Sequence, residues 1–301
     1  MAEHASSTSW WPISTSWFTS DQSRQLTGAA AVIARIRLVH PFPSLLNGLA
    51  VLVMALLGGG SGAAAARLAI GMVCIQFAIG TLNDVADARR DAFRIPGKPI
   101  PAGLVRLSTA RGLTIGLGVA GLLFAAPSGP ATLVVAGAGL GLGVIYDLGL
   151  SRTPVSWLPL AFALPLVPVY AWLGAVGAVP STVVGIVPAA ILAGAGLAVG
   201  NALADLDEDR ARGRRTIAVA LGRAVAWWTH AAGLIGAMTV VIVLRPTDGG
   251  AAAAQVVASG AALTLVGAAL LRGRSRAWGR LGWGLEASGI AVIGMGWILG
   301  V

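Results

Sequence analysis

Long apolar stretches alternate with short polar loops along the whole chain. A bilayer core takes about 20 helical residues per crossing. Stretches of that kind recur near 38–57, 65–82, 107–126, 130–147, 154–174, 183–203, 224–244, 251–271 and 282–300. The pattern predicts an all-α polytopic membrane protein with nine transmembrane helices. Residues 1–34 carry Trp10, Trp11, Trp17 and Phe18 among many Ser and Thr, without the basic start and apolar core of a secretory signal. They read as a disordered or interfacial tail, leaving 35–301 as one transmembrane domain.

The polar loops then fix an orientation. With the N-terminus cytoplasmic, 19 of the 21 basic residues fall on inside segments and only Arg67 and Arg245 fall outside. Cytoplasmic loops carry such an excess of Lys and Arg. An odd number of helices then puts the C-terminus outside. This distribution also explains the net charge of +9 without invoking nucleic acid. Charged residues are only 11% of the chain and mean hydropathy is +0.81, against about 25% charged residues in soluble domains. The single cysteine, Cys74, excludes a disulfide framework and a thiolate metal site. The glycine run Gly137–Gly139–Gly141–Gly143 follows no strand, so it is read as small residues allowing close helix approach, not as a nucleotide loop.

Chemistry concentrates in two places. Seven of the twelve acidic residues lie in Asn83–Asp91 and Asn201–Asp209, and both segments contain N-x-x-x-D-x-x-x-D, 118 residues apart. Both sit where an apolar helix reaches the expected cytoplasmic side. Residues four apart share a helix face. Asn83, Asp87 and Asp91 therefore form one polar stripe with Asp84 beside it, and Asn201, Asp205 and Asp209 form another. Each stripe is about 12 Å long at a helical rise of 1.5 Å per residue. Stacked carboxylates near a membrane repel and are costly. A divalent cation relieves this, and Mg²⁺ takes one or two carboxylates together with phosphate oxygens and water. Basic residues suited to phosphate oxygens adjoin both stripes: Arg94 and Lys98 after the first, and Arg210, Arg212, Arg214 and Arg215 after the second.

These residues resemble the UbiA-type membrane prenyltransferase superfamily. Its N-D-x-x-D-x-x-x-D motif is met by Asn83, Asp84, Asp87 and Asp91, and its Lys/Arg-Pro-Ile-Pro-x-Gly continuation by Lys98–Gly103. Its second motif is met by Asp205 and Asp209 with Gly213-Arg214-Arg215-Thr216. One departure stands out: Tyr146 is present, but Leu150 occupies the Lys of the usual Tyr-x-x-x-Lys, and Arg152 lies two residues further on.

The resemblance implies nine helices around a central apolar channel with a cytoplasmic polar cap. It implies Mg²⁺-dependent transfer of a prenyl group from a prenyl diphosphate to an aromatic or quinone-precursor acceptor. The implied Mg²⁺ ligands are Asn83, Asp84, Asp87, Asp91, Asn201, Asp205 and Asp209. Asp87, Asp91, Asp205 and Tyr146 are the implied catalytic residues, and Arg37, Lys98, Arg152 and Arg214 the diphosphate clamps. Asp147 is expected to orient an Arg or the acceptor. Phosphoribosyl transfer to a polyprenyl phosphate and terpene cyclisation share the metal motifs. A transporter would hold its cation near the bilayer midplane, unlike these helix-end acids.

His40, His230, Glu286 and the tryptophans are given structural roles. His40 is expected at the interface and His230 as a packing residue. Glu286 is expected to pair with Arg280, and the tryptophans to suit interface belts, with channel lining by Trp172 or Trp157 as the alternative.

Overall fold

The computed structural model describes residues 28–91, 98–244 and 250–300, with the Asp91 side chain outside that description. The helices, in chain order, are α1 (Gly28–Arg37), α2 (Pro41–Leu57), α3 (Gly62–Asp91), α4 (Leu107–Ala125), α5 (Pro130–Leu148), α6 (Leu158–Ala163), α7 (Leu166–Val176), α8 (Ser181–Gly185), α9 (Val187–Ala204), α10 (Leu206–Ala211), α11 (Ile217–Leu221), α12 (Arg223–Val243), α13 (Ala251–Leu271) and α14 (Arg276–Leu299). Among the described residues, eight stretches are long and apolar enough to cross a membrane, with α6 and α7 counted as one; α2 is a shorter apolar helix of 17 residues. The nine expected spans therefore map onto nine helical stretches. Residues 1–27 of the expected tail lie outside the described residues, and α1 takes in its last part.

Two spans depart from simple rods, and one runs on beyond its apolar part. The second expected span continues as α3 to Asp91, which keeps the first acidic segment helical, as the four-residue spacing of its stripe predicted. The fifth divides into α6 and α7. Pro165 has no N–H to continue the α-helical ladder, and Val167 bonds the Leu164 carbonyl in a tighter turn. The sixth divides into α8 and α9, and the backbone leaves helical geometry again at Asp205 (φ −107°, ψ 9°).

Small residues set how closely the helices approach. A Cβ on Gly267 would lie 2.5 Å from the Gly282 carbonyl oxygen, and one on Gly289 would lie 2.6 Å from that of Gly260. These contacts lock α13 to α14, as small residues do in membrane bundles. The Gly137–Gly143 run behaves otherwise. Only Gly143 is in close contact, with Ile79, whereas Gly137, Gly139 and Gly141 have open space where a Cβ would stand.

His230 and Glu286 form a fully buried pair between α12 and α14. The His230 Nδ1–H donates to the Gly196 carbonyl at 2.8 Å, and Nε2 lies 2.8 Å from Glu286 Oε1. The pair ties α9, α12 and α14 together. Glu286 therefore does not pair with Arg280, as the sequence suggested; Arg280 reaches Asp205 instead. His230 is the hydrogen-bonded packing residue expected of it.

Candidate active site

The two acidic segments border one polar cavity of about 760 Å³. Asn83, Asp84 and Asp87 enter it from α3, and Tyr146 and Asp147 from the end of α5. Asn201, Asp205 and Asp209 enter from α9 and α10, while Arg37, Lys98 and Arg214 enter from loops and helix ends. Arg152 reaches the same group through Asp87.

Asp84 and Asp87 are 4% and 8% exposed, and each is met by cations. Lys98 Nζ donates to Asp84 Oδ1 at 2.7 Å, and His40 Nε2 lies 3.5 Å from the same oxygen. His40 is thus a partner of the first motif, not only an interfacial residue. Its left-handed backbone (φ 50°) goes with close packing: Gly80 presses on the Val39–His40 corner, where a Cβ would lie 2.9 Å from the Val39 carbonyl oxygen. Arg152 Nη2 donates to Asp87 Oδ1 at 2.7 Å, and Arg214 Nη2 donates to Asp87 Oδ2 at 2.8 Å.

Arg214 also links the two segments. Its Nη1 lies 3.4 Å from Asp209 Oδ1. The turn after α10 aims it: Gly213 (φ 67°) ends the helix, with Gly213 N–H bonded to the Arg210 carbonyl and Arg214 N–H to that of Asp209. This paired ending is a Schellman motif, which favours glycine at the left-handed position. Burial pushes the Asp209 carboxyl above its usual range, partly offset by the Arg214 charge.

The second stripe is not the straight one expected. The break at Asp205 turns its carboxylate toward α14, where Arg276 Nε donates to Oδ1 at 3.0 Å and Arg280 lies 3.5 Å away. Glu208 pairs with Arg212 and Arg276. Asp147, given only a loose orienting role from sequence, accepts a hydrogen bond from Asn83 Nδ2 at 2.9 Å. It is 2% exposed, and its Oδ2 is buried without a partner. Asp91, an expected ligand, lies in α3, but its side chain falls outside the described residues, as do Arg94 and Pro96.

Mg²⁺ fits this donor set, which is rich in carboxylate and amide oxygens and includes an unpartnered buried carboxylate oxygen at Asp147. No group of three or more His, Cys, Asp or Glu residues among those described is close enough to hold a metal ion unaided. That suits an ion that completes its shell with phosphate oxygens and water.

Two apolar cavities open from the polar one, of about 210 and 240 Å³. The first runs between α3, α5 and α7 and includes Gly139 and Gly143. The second is walled by α2, α9, α12 and α14. The expected apolar interior is present, but it has two compartments. Trp172 and Trp157 line none of these cavities. Trp172 is 5% exposed in the packed core, and Trp157 packs against the buried cluster that includes Leu203 and Leu206. Two tryptophans of α14 line them instead: Trp297 the second apolar cavity, and Trp283 all three, held by its Nε1–H to the Leu197 carbonyl at 3.0 Å. Sequence offered one faint signal for it: its place on the same helix as Glu286, an acid within the membrane.

A family model described as the UbiA prenyltransferase family matches residues 44–281. The chain belongs to this family. A digeranylgeranylglyceryl phosphate synthase of Methanoculleus marisnigri is 32% identical over 126 residues, covering 42% of this chain and 45% of that protein. The match thus spans less than half the length of that relative. Among solved structures, an apo UbiA homolog from Aeropyrum pernix K1 superposes with a TM-score of 0.68 at 25% identity, covering 86% of this chain and 97% of the other. A UbiA homolog from Archaeoglobus fulgidus bound to GPP and Mg²⁺ has a TM-score of 0.66 at 18% identity, covering 87% and 99%. This UbiA-family chain is an integral membrane protein by its family and its apolar helices.

Proposed function

We propose that the protein is a Mg²⁺-dependent intramembrane prenyltransferase that moves a prenyl group from a prenyl diphosphate to an acceptor of the aromatic or quinone-precursor kind. The carrying observation is the convergence of both acidic segments and their cationic partners on one cavity that continues into apolar space. The Archaeoglobus homolog bound to GPP and Mg²⁺ supports the donor class and the ion. The 19 inside-facing basic residues support a cytoplasmic active site and N-terminus, with the C-terminus outside. Residues 35–301 act as one catalytic domain.

In this reading Asn83, Asp84, Asp87, Asp91, Asn201, Asp205 and Asp209 hold Mg²⁺. The ion, when bound, neutralises the diphosphate and makes it a better leaving group. Lys98, Arg152 and Arg214 already lie on carboxylates that would take up the ion, so they can turn to phosphate oxygens when it arrives, with Arg37 at the rim. Such preorganised donors stabilise charge on the departing group without reorganising solvent. Tyr146 lines both the polar and the first apolar cavity, beside the path from diphosphate to prenyl chain. It hydrogen-bonds the diphosphate or faces the allylic cation. Asp147 orients Asn83 by accepting its amide hydrogen, leaving the amide oxygen available as a ligand.

Diphosphate release from a panel of prenyl diphosphates tests this in purified protein, with and without Mg²⁺ and added acceptors. Release is expected from the parent with Mg²⁺ and not after chelation, with helical circular dichroism unchanged. Folded protein that binds Mg²⁺ but releases diphosphate from no prenyl donor would end the proposal and favour phosphoribosyl transfer. A cyclic hydrocarbon formed without acceptor would instead identify a cyclase.

A further inference from the structure

The interior holds two apolar cavities of similar size, whereas one prenyl donor has one tail. Their mouths differ. The first joins the polar cavity through Ile79, Tyr146 and Asn201, beside the carboxylates and Arg214. The second joins it through Pro43, on the α2 side near Arg37 and His40. Leu160 and Val167, on the two halves of the broken α6–α7 span, line both apolar cavities and form the septum between them. Among the described residues, Gln76 and Trp283 alone line all three cavities, so contents of all three meet at these two side chains.

An apolar void left empty in a packed bundle is destabilising. Among the described residues, the deep part of the second cavity, around Val183, Ala193, Ile293 and Ile298, offers one polar group, the buried and unpartnered indole N–H of Trp297, whereas a held water takes two to four polar partners.

We propose that the acceptor is a membrane-resident amphiphile whose own apolar tail fills the second cavity while its nucleophile reaches Gln76 and Trp283. This rests on the prenyl-transfer reading and narrows its acceptor: an aromatic head qualifies when it carries a chain. The donor tail lies in the first cavity, whose mouth adjoins the diphosphate clamps. At the junction the acceptor's nucleophilic atom bonds to the allylic carbon of the donor. The bond from that carbon to the diphosphate oxygen breaks, with its electron pair leaving on the diphosphate. The proton lost by the nucleophile passes to water in the polar cavity. The Trp283 ring stands at the point where positive charge develops, and an aromatic face favours a cation. Phosphoribosyl transfer or cyclisation would leave one apolar cavity without an occupant.

Photolabelling of the full chain in phosphatidylcholine vesicles tests the proposal. One probe is geranyl diphosphate with a diazirine at its far end; the other is hexadecanol with a diazirine at its chain end. The diphosphate probe is expected to label the α3 and α5 walls in a Mg²⁺-dependent way. The alkanol is expected to label the α9 and α14 walls, and excess geranyl diphosphate should not displace it. Ala193→Leu and Ala291→Leu, made separately because either alone could disturb folding, each fill the second cavity. Each should lower alkanol labelling there about tenfold while leaving diphosphate labelling unchanged. Gly139→Leu, where a Cβ meets open space, should do the reverse. Mutual displacement of the probes, or alkanol labelling indifferent to both alanine substitutions, would overturn the two-tail assignment while donor binding stands. Absence of Mg²⁺-dependent diphosphate labelling would overturn the prenyl-transfer reading itself and this inference with it.

Discussion

The two acidic segments share a sequence pattern but not a structure. In the first, Asn83 to Asp91 continue a 30-residue helix, and Asp84 and Asp87 are buried on its inner face. In the second, the helix breaks at Asp205, so Asp205 and Asp209 no longer share one straight face. Asp205 is about one-third exposed and pairs with two arginines of α14, whereas Asp209 is buried against Arg214. The same spacing yields a rigid stripe in one place and a hinged pair in the other. The backbone beyond each asparagine decides the outcome: an α-helix carries on past Asn83, whereas the Schellman turn at Gly213 folds Arg214 back onto both segments. The first segment is thus the fixed wall of the site, and the second is the wall that the rest of the bundle positions.

On that contrast, the largest loss falls on Asp87. It is buried and bonded to Arg152 and Arg214 at once, so Asp87→Ala removes a proposed Mg²⁺ ligand and leaves two cations without their shared partner. We expect Mg²⁺-dependent diphosphate release to fall by about 10³-fold, the scale of losing a principal electrostatic group. Steady-state assay of the purified variant measures it, and a loss smaller than that for Asp205→Ala would reverse the assignment of walls.

Arg214→Lys comes next. It keeps the charge but loses the fork that reaches Asp87 and Asp209 together, and a lysine is a single point charge. A fall of about 10²-fold in kcat/KM is expected, about 2.7 kcal/mol in transition-state stabilisation. A variant with parental kcat/KM would mean that the bridge between the segments plays no part in turnover.

The same residues show how much of this was legible beforehand. The spans were readable because a bilayer demands long apolar runs, and the acidic segments because acids are so scarce elsewhere in the chain. The partners were not readable. His40 reaches Asp84, and Arg276 and Arg280 reach Asp205, through contacts between helices far apart in sequence, which periodicity within one helix does not encode. The break at Asp205 has no Pro or Gly to announce it. The division of the interior was hidden too, since Pro165 marks a break but not which side chains then meet. Trp283 was indistinguishable by composition from nine other tryptophans; only its place in the bundle singles it out.

Asp205→Ala should weaken turnover less than Asp87→Ala, by about 10²-fold or less, because a partly exposed carboxylate is more readily replaced by water. It should also raise the Mg²⁺ concentration for half-maximal release, since it removes a proposed ligand from the wall that the bundle adjusts. Titrating Mg²⁺ against diphosphate release separates that effect from a loss of kcat. An unchanged Mg²⁺ requirement would move Asp205 from the ion to a purely structural pairing with Arg276 and Arg280.

The smallest effect is expected at Asp207, inside the second acidic segment but off its motif. Its side chain is 67% exposed, and it pairs with Arg223 at 3.0 Å on the outer side of α10. Exposed ion pairs contribute about 0–1 kcal/mol. Asp207→Ala should therefore leave both kcat/KM and thermal stability in detergent near the parental values. This separates two explanations of why acids gather in the segment. If general negative charge at the helix end draws in Mg²⁺, Asp207→Ala should lower its affinity much as Asp205→Ala does, although the residue faces away from the cavity. If geometry at the cavity wall is what matters, two carboxylates only two positions apart will behave differently, because the turn that begins at Asp205 sends one inward and the other out to water.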